Sequence, residues 1–313
     1  MQFRLLAVLL AALIWTAPAQ AAEKLTVLLD WFVNPDHAPL VIAKERGYFA
    51  DAGLEVELIA PADPSAPPRL VAAGQGDIAI SYQPNLHLMT KEKLPLARIG
   101  TLVETPLNSL VALKDGPVKS IADLKGKTVG FSVGGFEDAL LKKMLEEAGL
   151  TLDDITLVNV NFALSPALIA GKVDAVIGAF RNFELAQLDI EGKPGIAFYP
   201  EEHGVPPYDE LVFLAARDRL GDKRFAAFLE AVEKATIWMT NHPDEGLQLF
   251  VKAYPDLNDE LNRRAWYATL PRFAKRPMAL DEARYERFGA FMKAQGLIDE
   301  IVPLENYAVT LKP

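Results

Sequence analysis

The chain has 313 residues, half of them hydrophobic and 24% charged, with no cysteine and a formal net charge of -10. At about 150 residues per domain that length allows two domains, each large enough to bury a core without cross-links. Thirty-two Lys and Arg against 42 Asp and Glu argue against a nucleic-acid partner, and the missing cysteines exclude disulfides, thiolate metal sites and a cysteine nucleophile.

The first 21 residues read as an export signal rather than as part of the fold. Arg4 precedes an apolar run from Leu5 to Trp15, and Ala19-Gln20-Ala21 offers the small residues that a signal peptidase needs. The run is 11 residues long, whereas a membrane-spanning helix takes about 20. Cleavage near Ala21 would leave residues 22–313 as an exported, periplasmic chain.

From Lys24 onward, strand-like and helix-like segments alternate. Leu25–Asp30 is rich in β-branched and aliphatic residues, and a helix is expected from His37 to Arg46, closed by Gly47. Glu55–Ile59 alternates polar and apolar residues as a half-buried strand does. The Pro-rich stretch from Ala60 to Pro68 reads as a loop, followed by a helix over Arg69–Ala73 and a strand over Asp77–Ser81. The same order then returns: strand Thr128–Ser132, helix Phe136–Ala148, strand Thr156–Val160, a helix ending at Gly171, and strand Asp174–Gly178. Gly74-x-x-Asp77 and Gly171-x-x-Asp174 lie 97 positions apart in matching contexts, and Ala-Gly-Leu recurs at 52–54 and 148–150. An ordered series of this kind predicts two α/β lobes of similar build.

Beyond the second lobe come one more strand, Leu211–Ala216, and helical segments near Asp222–Thr240, Pro243–Tyr254, Asn258–Thr269 and Asp281–Gln295. Helices alone cannot complete an α/β domain, so they are expected to pack back on the first lobe. The expected organisation is residues 22–105 with 210–313 as one discontinuous lobe and 106–209 as the other. Crossings near Val103–Asn108 and Pro207–Val212 would form a hinge beside a cleft.

In open α/β sheets, ligands bind beyond the carboxyl ends of the strands. That rule selects Asp30-Trp-Phe-Val-Asn-Pro-Asp-His37, where Trp31 can stack on a flat ring and Asp30, Asn34 and His37 can form directional hydrogen bonds. The same loop also fits a buried structural turn with Trp31 in the core. Ser81, Tyr82 and Gln83 follow the next strand and either face a ligand or form an ordinary turn. In the second lobe Gly135, Phe136 and Glu137 enter a helix. The free backbone N–H groups there suit an anion or a carbonyl, but Glu137 itself supplies a negative charge and the lysine of a phosphate loop is missing. Asn182 and Glu184 follow the last second-lobe strand, and Tyr208 and Glu210 sit at the return crossing. A carboxylate at either place suits a ligand with an amino group beside a ring nitrogen, or it is simply solvated. His37, His87, His203 and His242 show no metal-binding spacing, and no Gly-x-Ser-x-Gly elbow exists. No catalytic residue, metal or cofactor is expected.

Leu29-Asp-Trp-Phe-Val-Asn-Pro-Asp-His-Ala-Pro-Leu40, followed by Ala43-Lys-Glu-Arg-Gly-Tyr-Phe49, resembles the opening of periplasmic pyrimidine-binding proteins that serve thiamine-precursor uptake. The wider family includes thiamine-pyrimidine synthases. Further matches are Ser81-Tyr-Gln-Pro84, Pro106–Leu110, Gly135–Glu137, Asn182-Phe-Glu184 and Tyr208-Asp-Glu-Leu-Val212. The order Val33-Asn34-Pro35-Asp36 departs from the family's usual loop, and Phe183 stands where tryptophan is common. The resemblance implies a two-lobed type II periplasmic binding protein and a monomer. It further implies a heteroaromatic ligand between aromatic faces, held by Asn182, Glu184 and Glu210, and delivery to an ABC permease with its ATPase. Other heteroaromatic or small sulfonate ligands are the alternative, as are a sensor subunit and a synthase with Lys44 as its cofactor lysine.

Overall fold

A computed structural model describes residues 21–312 and contains two five-stranded mixed sheets flanked by helices. The expected export signal lies outside the described residues except for Ala21. The first sheet has the order β2 (Leu54–Ile59), β1 (Glu23–Leu28), β3 (Ile78–Ser81), β10 (Leu211–Ala216), β4 (Leu96–Val103). The second has the order β7 (Thr156–Asn159), β6 (Thr128–Phe131), β8 (Ala175–Phe180), β5 (Asn108–Leu113), β9 (Gly195–Phe198). These orders are the same: the outer three strands of each sheet run parallel, and the fourth runs antiparallel to both of its neighbours.

The repeat thus covers all ten strands, five per copy. Its antiparallel strands are the two crossings, since β5 enters the second sheet from β4 and β10 enters the first from β9. In each copy the Gly-x-x-Asp signal performs one local task. Gly74 and Gly171 hold φ of 75° and 65°, a left-handed conformation that frees the chain from its helix. Three residues on, Asp77 Oδ2 accepts the Thr26 N–H at 2.7 Å, and Asp174 Oδ2 accepts the Thr128 N–H at 2.9 Å. Each aspartate also donates its own N–H back to the same threonine's carbonyl. A side chain so placed fixes the register between β1 and β3 in one sheet and between β6 and β8 in the other.

The helices after β10 run Lys223–Asn241, Pro243–Ala253, Glu260–Thr269 and Glu282–Ala294. Asp222, Asp259 and Asp281 cap three of them by accepting first-turn N–H groups. Phe225, Phe228, Phe250, Trp266 and Phe288 from these helices share one core with Leu25, Val27, Ile80 and Phe213 of the first sheet. Two local expectations shift. The stretch read as a loop to Pro68 ends earlier, because a helix begins at Pro67; prolines suit the first turn, whose N–H groups need no partner. Three strands, β4, β5 and β9, were not anticipated as strands at all.

Candidate functional site

The two lobes face each other across the carboxyl ends of β1, β3, β6 and β8. Asn34 closes a capping box over Pro35–His37: its Oδ1 accepts the Asp36 N–H at 2.7 Å, and its own N–H meets His37 Nδ1 at 3.3 Å. With Nδ1 accepting, the proton of a neutral imidazole sits on Nε2, which lies 3.0 Å from Asp30 Oδ1. The other oxygen of Asp30 accepts the Tyr82 hydroxyl at 3.0 Å. Asp30 is therefore a buried carboxylate aimed by two first-lobe side chains, with His37 behind it rather than in the open cleft.

Around Asp30 lies a narrow cleft with room of about 30 Å³, lined by Trp31, Asn34, Asp36 and Tyr82 from the first lobe. Glu137, Leu164, Gly178, Phe180, Phe183 and Glu184 line it from the second. Aromatic faces supply much of the wall. Tyr82 stacks on Phe136 with ring centroids 4.7 Å apart and meets Phe180 edge-on, and Trp31 meets Phe162 edge-on at 4.6 Å. The polar part of the wall is acidic. Asp30, Asp36, Glu137 and Glu184 line the cleft, and no lysine or arginine does.

Burial dominates the ionisation of these acids. The Glu137 carboxyl is pushed well above the usual range by burial, opposed by backbone N–H donors from Ser132 and Val133. Glu184 is pushed up to about 8, first by burial, despite accepting the Phe180 N–H at 2.6 Å. Asp36 rises to about 6 by burial, against the pull of His37, Thr269 and Asn182. Glu137 also explains an unusual neighbour. Gly178 has φ of 96°, and a Cβ there would overlap the Glu137 carboxylate. Only glycine lets β8 pass beneath that acid.

The residues selected from sequence divide between wall and support. Asp30, Trp31, Asn34, Tyr82, Glu137 and Glu184 line the cleft. His37 orients Asp30, and Phe136 backs Tyr82. Gly135 is exposed with φ of 87°, turning the chain into the helix Glu137–Glu147. Ser81 is buried at the end of β3. Gln83 Oε1 accepts the Asp209 N–H at 2.8 Å and so holds the return crossing. Asn182 spans the lobes, donating to Asp36 at 2.6 Å and to Thr269 at 2.7 Å. Glu210 is fully buried and accepts the Leu107 and Asn108 N–H groups at 2.5 and 2.9 Å, tying one crossing to the other. Tyr208, also buried, packs edge-on against Phe288. Sequence reasoning passed over Asp36, Leu164, Gly178, Phe180 and Phe183. Asp36 lies within the selected loop and Phe183 between the selected Asn182 and Glu184, whereas nothing in the type of Leu164, Gly178 or Phe180 separates them from their neighbours.

Lys44 is exposed on the helix Ala38–Glu45, beside Leu54 and Glu55, and does not line the cleft. Among the described residues no group of three or more His, Asp or Glu is arranged to hold a metal ion, and no helix is long and apolar enough to cross a membrane.

Comparison with known proteins agrees with this architecture. A protein of Haemophilus influenzae named for thiamine biosynthesis is 52% identical over 301 residues, covering 96% of both chains. The formylaminopyrimidine-binding protein of Halalkalibacterium halodurans is 36% identical over 259 residues, or 81% of this chain and 78% of that one. At 25% identity over 288 residues (91% and 90%), a Legionella pneumophila relative is named 4-amino-5-hydroxymethyl-2-methylpyrimidine phosphate synthase. Among solved structures, the alkanesulfonate-binding protein of Xanthomonas axonopodis pv. citri bound to MOPS superposes with a TM-score of 0.72 at 17% identity, covering 92% of this chain and 99% of that one. The fold is that of a two-lobed periplasmic binding protein. The NMT1/THI5-like family pattern matches residues 34–246, and the chain belongs to that family.

Proposed function

We propose that the protein is the exported solute-binding component of an ABC importer and that it closes on a pyrimidine thiamine precursor of the formylamino or hydroxymethyl type. The observation that carries this reading is a cleft walled by aromatic rings and four carboxyl groups with no basic residue. Such a wall suits a flat ligand that offers hydrogen-bond donors, as an aminopyrimidine does. Trp31 and Tyr82 would supply faces, and Asp30 and Glu137 would accept from the amino group. Glu184, with its carboxyl pushed up to about 8, holds a proton at neutral pH and can give it to a ring nitrogen. The same wall disfavours a sulfonate or a phosphate, whose negative charge would meet acids and no guanidinium or ammonium.

In this reading residues 22–105 with 210–313 form one lobe and 106–209 the other, and closure about the two crossings presents a shape that the permease recognises. The names of the curated relatives support a thiamine-precursor ligand, and some of those relatives are named as synthases. A binding role rather than catalysis is favoured by the position of Lys44, on the outer surface and away from the cleft. Calorimetry on residues 22–313 tests the proposal with formylaminopyrimidine, hydroxymethylpyrimidine and an alkanesulfonate. Binding of a pyrimidine and none of the sulfonate is expected. Binding of the sulfonate alone would overturn the ligand assignment.

A further inference from the structure

The two crossings between the lobes share one construction. Thr105–Pro106 in the first and Pro206–Tyr208 in the second lie outside the strands and make no main-chain hydrogen bond to any described residue. Each of these stretches is bounded by residues that are held. On the second-lobe side, the Leu107 carbonyl accepts the Arg181 N–H at 2.9 Å, and the Val205 N–H donates to the Pro200 carbonyl at 3.1 Å. On the first-lobe side the boundary residues are Glu104 and Asp209. The Glu104 N–H donates to the Arg272 carbonyl at 3.0 Å. The buried Asp209 carboxylate accepts the Thr101 hydroxyl at 2.8 Å and the Tyr285 hydroxyl at 3.2 Å. One side chain joins these two boundaries. Arg284 Nη1 donates to the Glu104 carbonyl at 2.7 Å and also to the Asp209 carboxylate. Arg284 stands in the first turn of the helix Glu282–Ala294, where Asp281 accepts its main-chain N–H at 3.0 Å, and it is not among the residues that line the cleft.

We infer that Thr105–Pro106 and Pro206–Tyr208 are the bending points of the hinge, and that Arg284 is the positioning residue that holds their first-lobe ends together. Main-chain torsions turn at least cost where no hydrogen bond has to break, and the prolines leave few of those torsions free. Two bends whose ends are kept at a fixed separation permit rotation about one axis. A guanidinium nitrogen shared between a carbonyl of one crossing and a carboxylate of the other supplies that fixed separation through charge-assisted hydrogen bonds. Without it the lobes sample more orientations, the fraction of molecules poised to close falls, and apparent affinity falls with it. The inference rests on the reading of this chain as a solute-binding protein that closes on its ligand, and it puts the second boundary between the lobes just before Asp209.

Calorimetry and small-angle X-ray scattering on residues 22–313 test it with wild type, Arg284→Met and Arg284→Lys, using formylaminopyrimidine and hydroxymethylpyrimidine as probes. Arg284→Met is expected to weaken binding of a pyrimidine that the wild type binds by roughly three- to tenfold. It is also expected to enlarge the radius of gyration of the ligand-free protein while the ligand-bound radius stays at the wild-type value. Arg284→Lys is expected to bind within about twofold of wild type, because its ammonium group can donate to the same two oxygens. A purely structural role for Arg284 would lower the melting temperature and leave affinity and ligand-free radius unchanged, and that result would overturn the inference. Tighter binding in Arg284→Met, or Arg284→Lys as weak as Arg284→Met, would overturn it too. Arg284→Gln, which is shorter and uncharged, is expected to shift both readouts in the same direction and decides the matter if Arg284→Met fails to fold. Wild-type protein that binds neither pyrimidine would sink the ligand assignment, and the ligand-free radii would then decide the hinge by themselves.

Discussion

Asn182 donates its side-chain N–H to Asp36 Oδ1 at 2.6 Å, joining residues 146 positions apart and belonging to opposite lobes. Thr269 completes a triangle, with its hydroxyl 2.7 Å from the same nitrogen and 3.0 Å from the same carboxylate oxygen. This polar clasp lies beside an aromatic contact, where Trp31 and Phe32 of one lobe meet Phe162 of the other. The clasp joins the two lobes, yet its acid is held above the ordinary aspartate range by burial. Folding and proton uptake at Asp36 are consequently linked.

The first prediction concerns that linkage. Asp36 rises to about 6, Glu210 to about 7 and Glu184 to about 8 in the folded protein, all chiefly by burial. A carboxyl whose folded pKa is raised binds more protons folded than unfolded. Its contribution is fully favourable below the unfolded pKa and is lost as pH climbs through the folded value. Thermal stability of the ligand-free protein should therefore increase as pH falls from about 8 to about 5, at up to roughly 1.4 kcal/mol per pH unit for each group titrating. Asp36→Asn should flatten the part of that slope near pH 6. A melting temperature that is flat or falling over the same interval would refute the buried-acid account.

Gly178 gives a second prediction. Replacing its hydrogen with a methyl group drives Cβ into the Glu137 carboxylate and forces a left-handed φ of 96° on an alanine. Gly178→Ala should cost about 1–3 kcal/mol from backbone strain and overpacking, and should weaken pyrimidine binding by displacing Glu137. Denaturant titration and calorimetry measure the two effects separately. Wild-type values in both would mean that β8 can shift away from Glu137 freely.

Much of the architecture was legible because the repeat leaves punctuation that physics enforces. A helix end needs a residue tolerant of φ above zero, and the third strand needs an acceptor for its neighbour's N–H, so Gly74-x-x-Asp77 and Gly171-x-x-Asp174 recur. Strand β4 carries no such mark. It is buried along its whole length yet includes Arg98, whose two terminal nitrogens donate to Thr101 and to main-chain carbonyls of Pro277, Met278, Ala279 and Val309. A charged residue in a buried edge strand defeats pattern reading when most of its partners lie some 180 positions away or more. The site was legible by loop but not by role. Glu210 and Asn182 look like ligand carboxylate and amide on paper; the tertiary structure engages one oxygen of Glu210 with Leu107 and Asn108 and the nitrogen of Asn182 with Asp36, and leaves Glu210 Oε1 and Asn182 Oδ1 without a partner among the described residues.

That distinction separates two substitutions. Trp31 is a half-buried ring on the cleft wall, so Trp31→Ala should weaken pyrimidine binding by on the order of 1–3 kcal/mol while changing stability little. Glu210 serves the crossings, so Glu210→Ala should leave two buried N–H groups unpaired and cost about 2–4 kcal/mol of folding free energy. Equal binding losses with equal stability in the two variants would put Glu210 in the ligand's reach after all.

The repeat itself can be tested by comparing its two aspartates. Asp77 accepts a threonine N–H from β1 and Asp174 one from β6, but their surroundings differ. Asp77 also meets Arg219 at 2.7 Å and Arg224 at 3.4 Å, and both arginines belong to the segment that begins the C-terminal helices. Asp174→Ala should therefore remove one main-chain acceptor and cost about 1–2 kcal/mol. Asp77→Ala should cost more, since it also releases two partly buried guanidinium groups from a shared partner. Urea titration of the two variants ranks them directly. If Asp174→Ala proves the more destabilising, the arginine contacts contribute nothing and strand register alone sets the value of the motif.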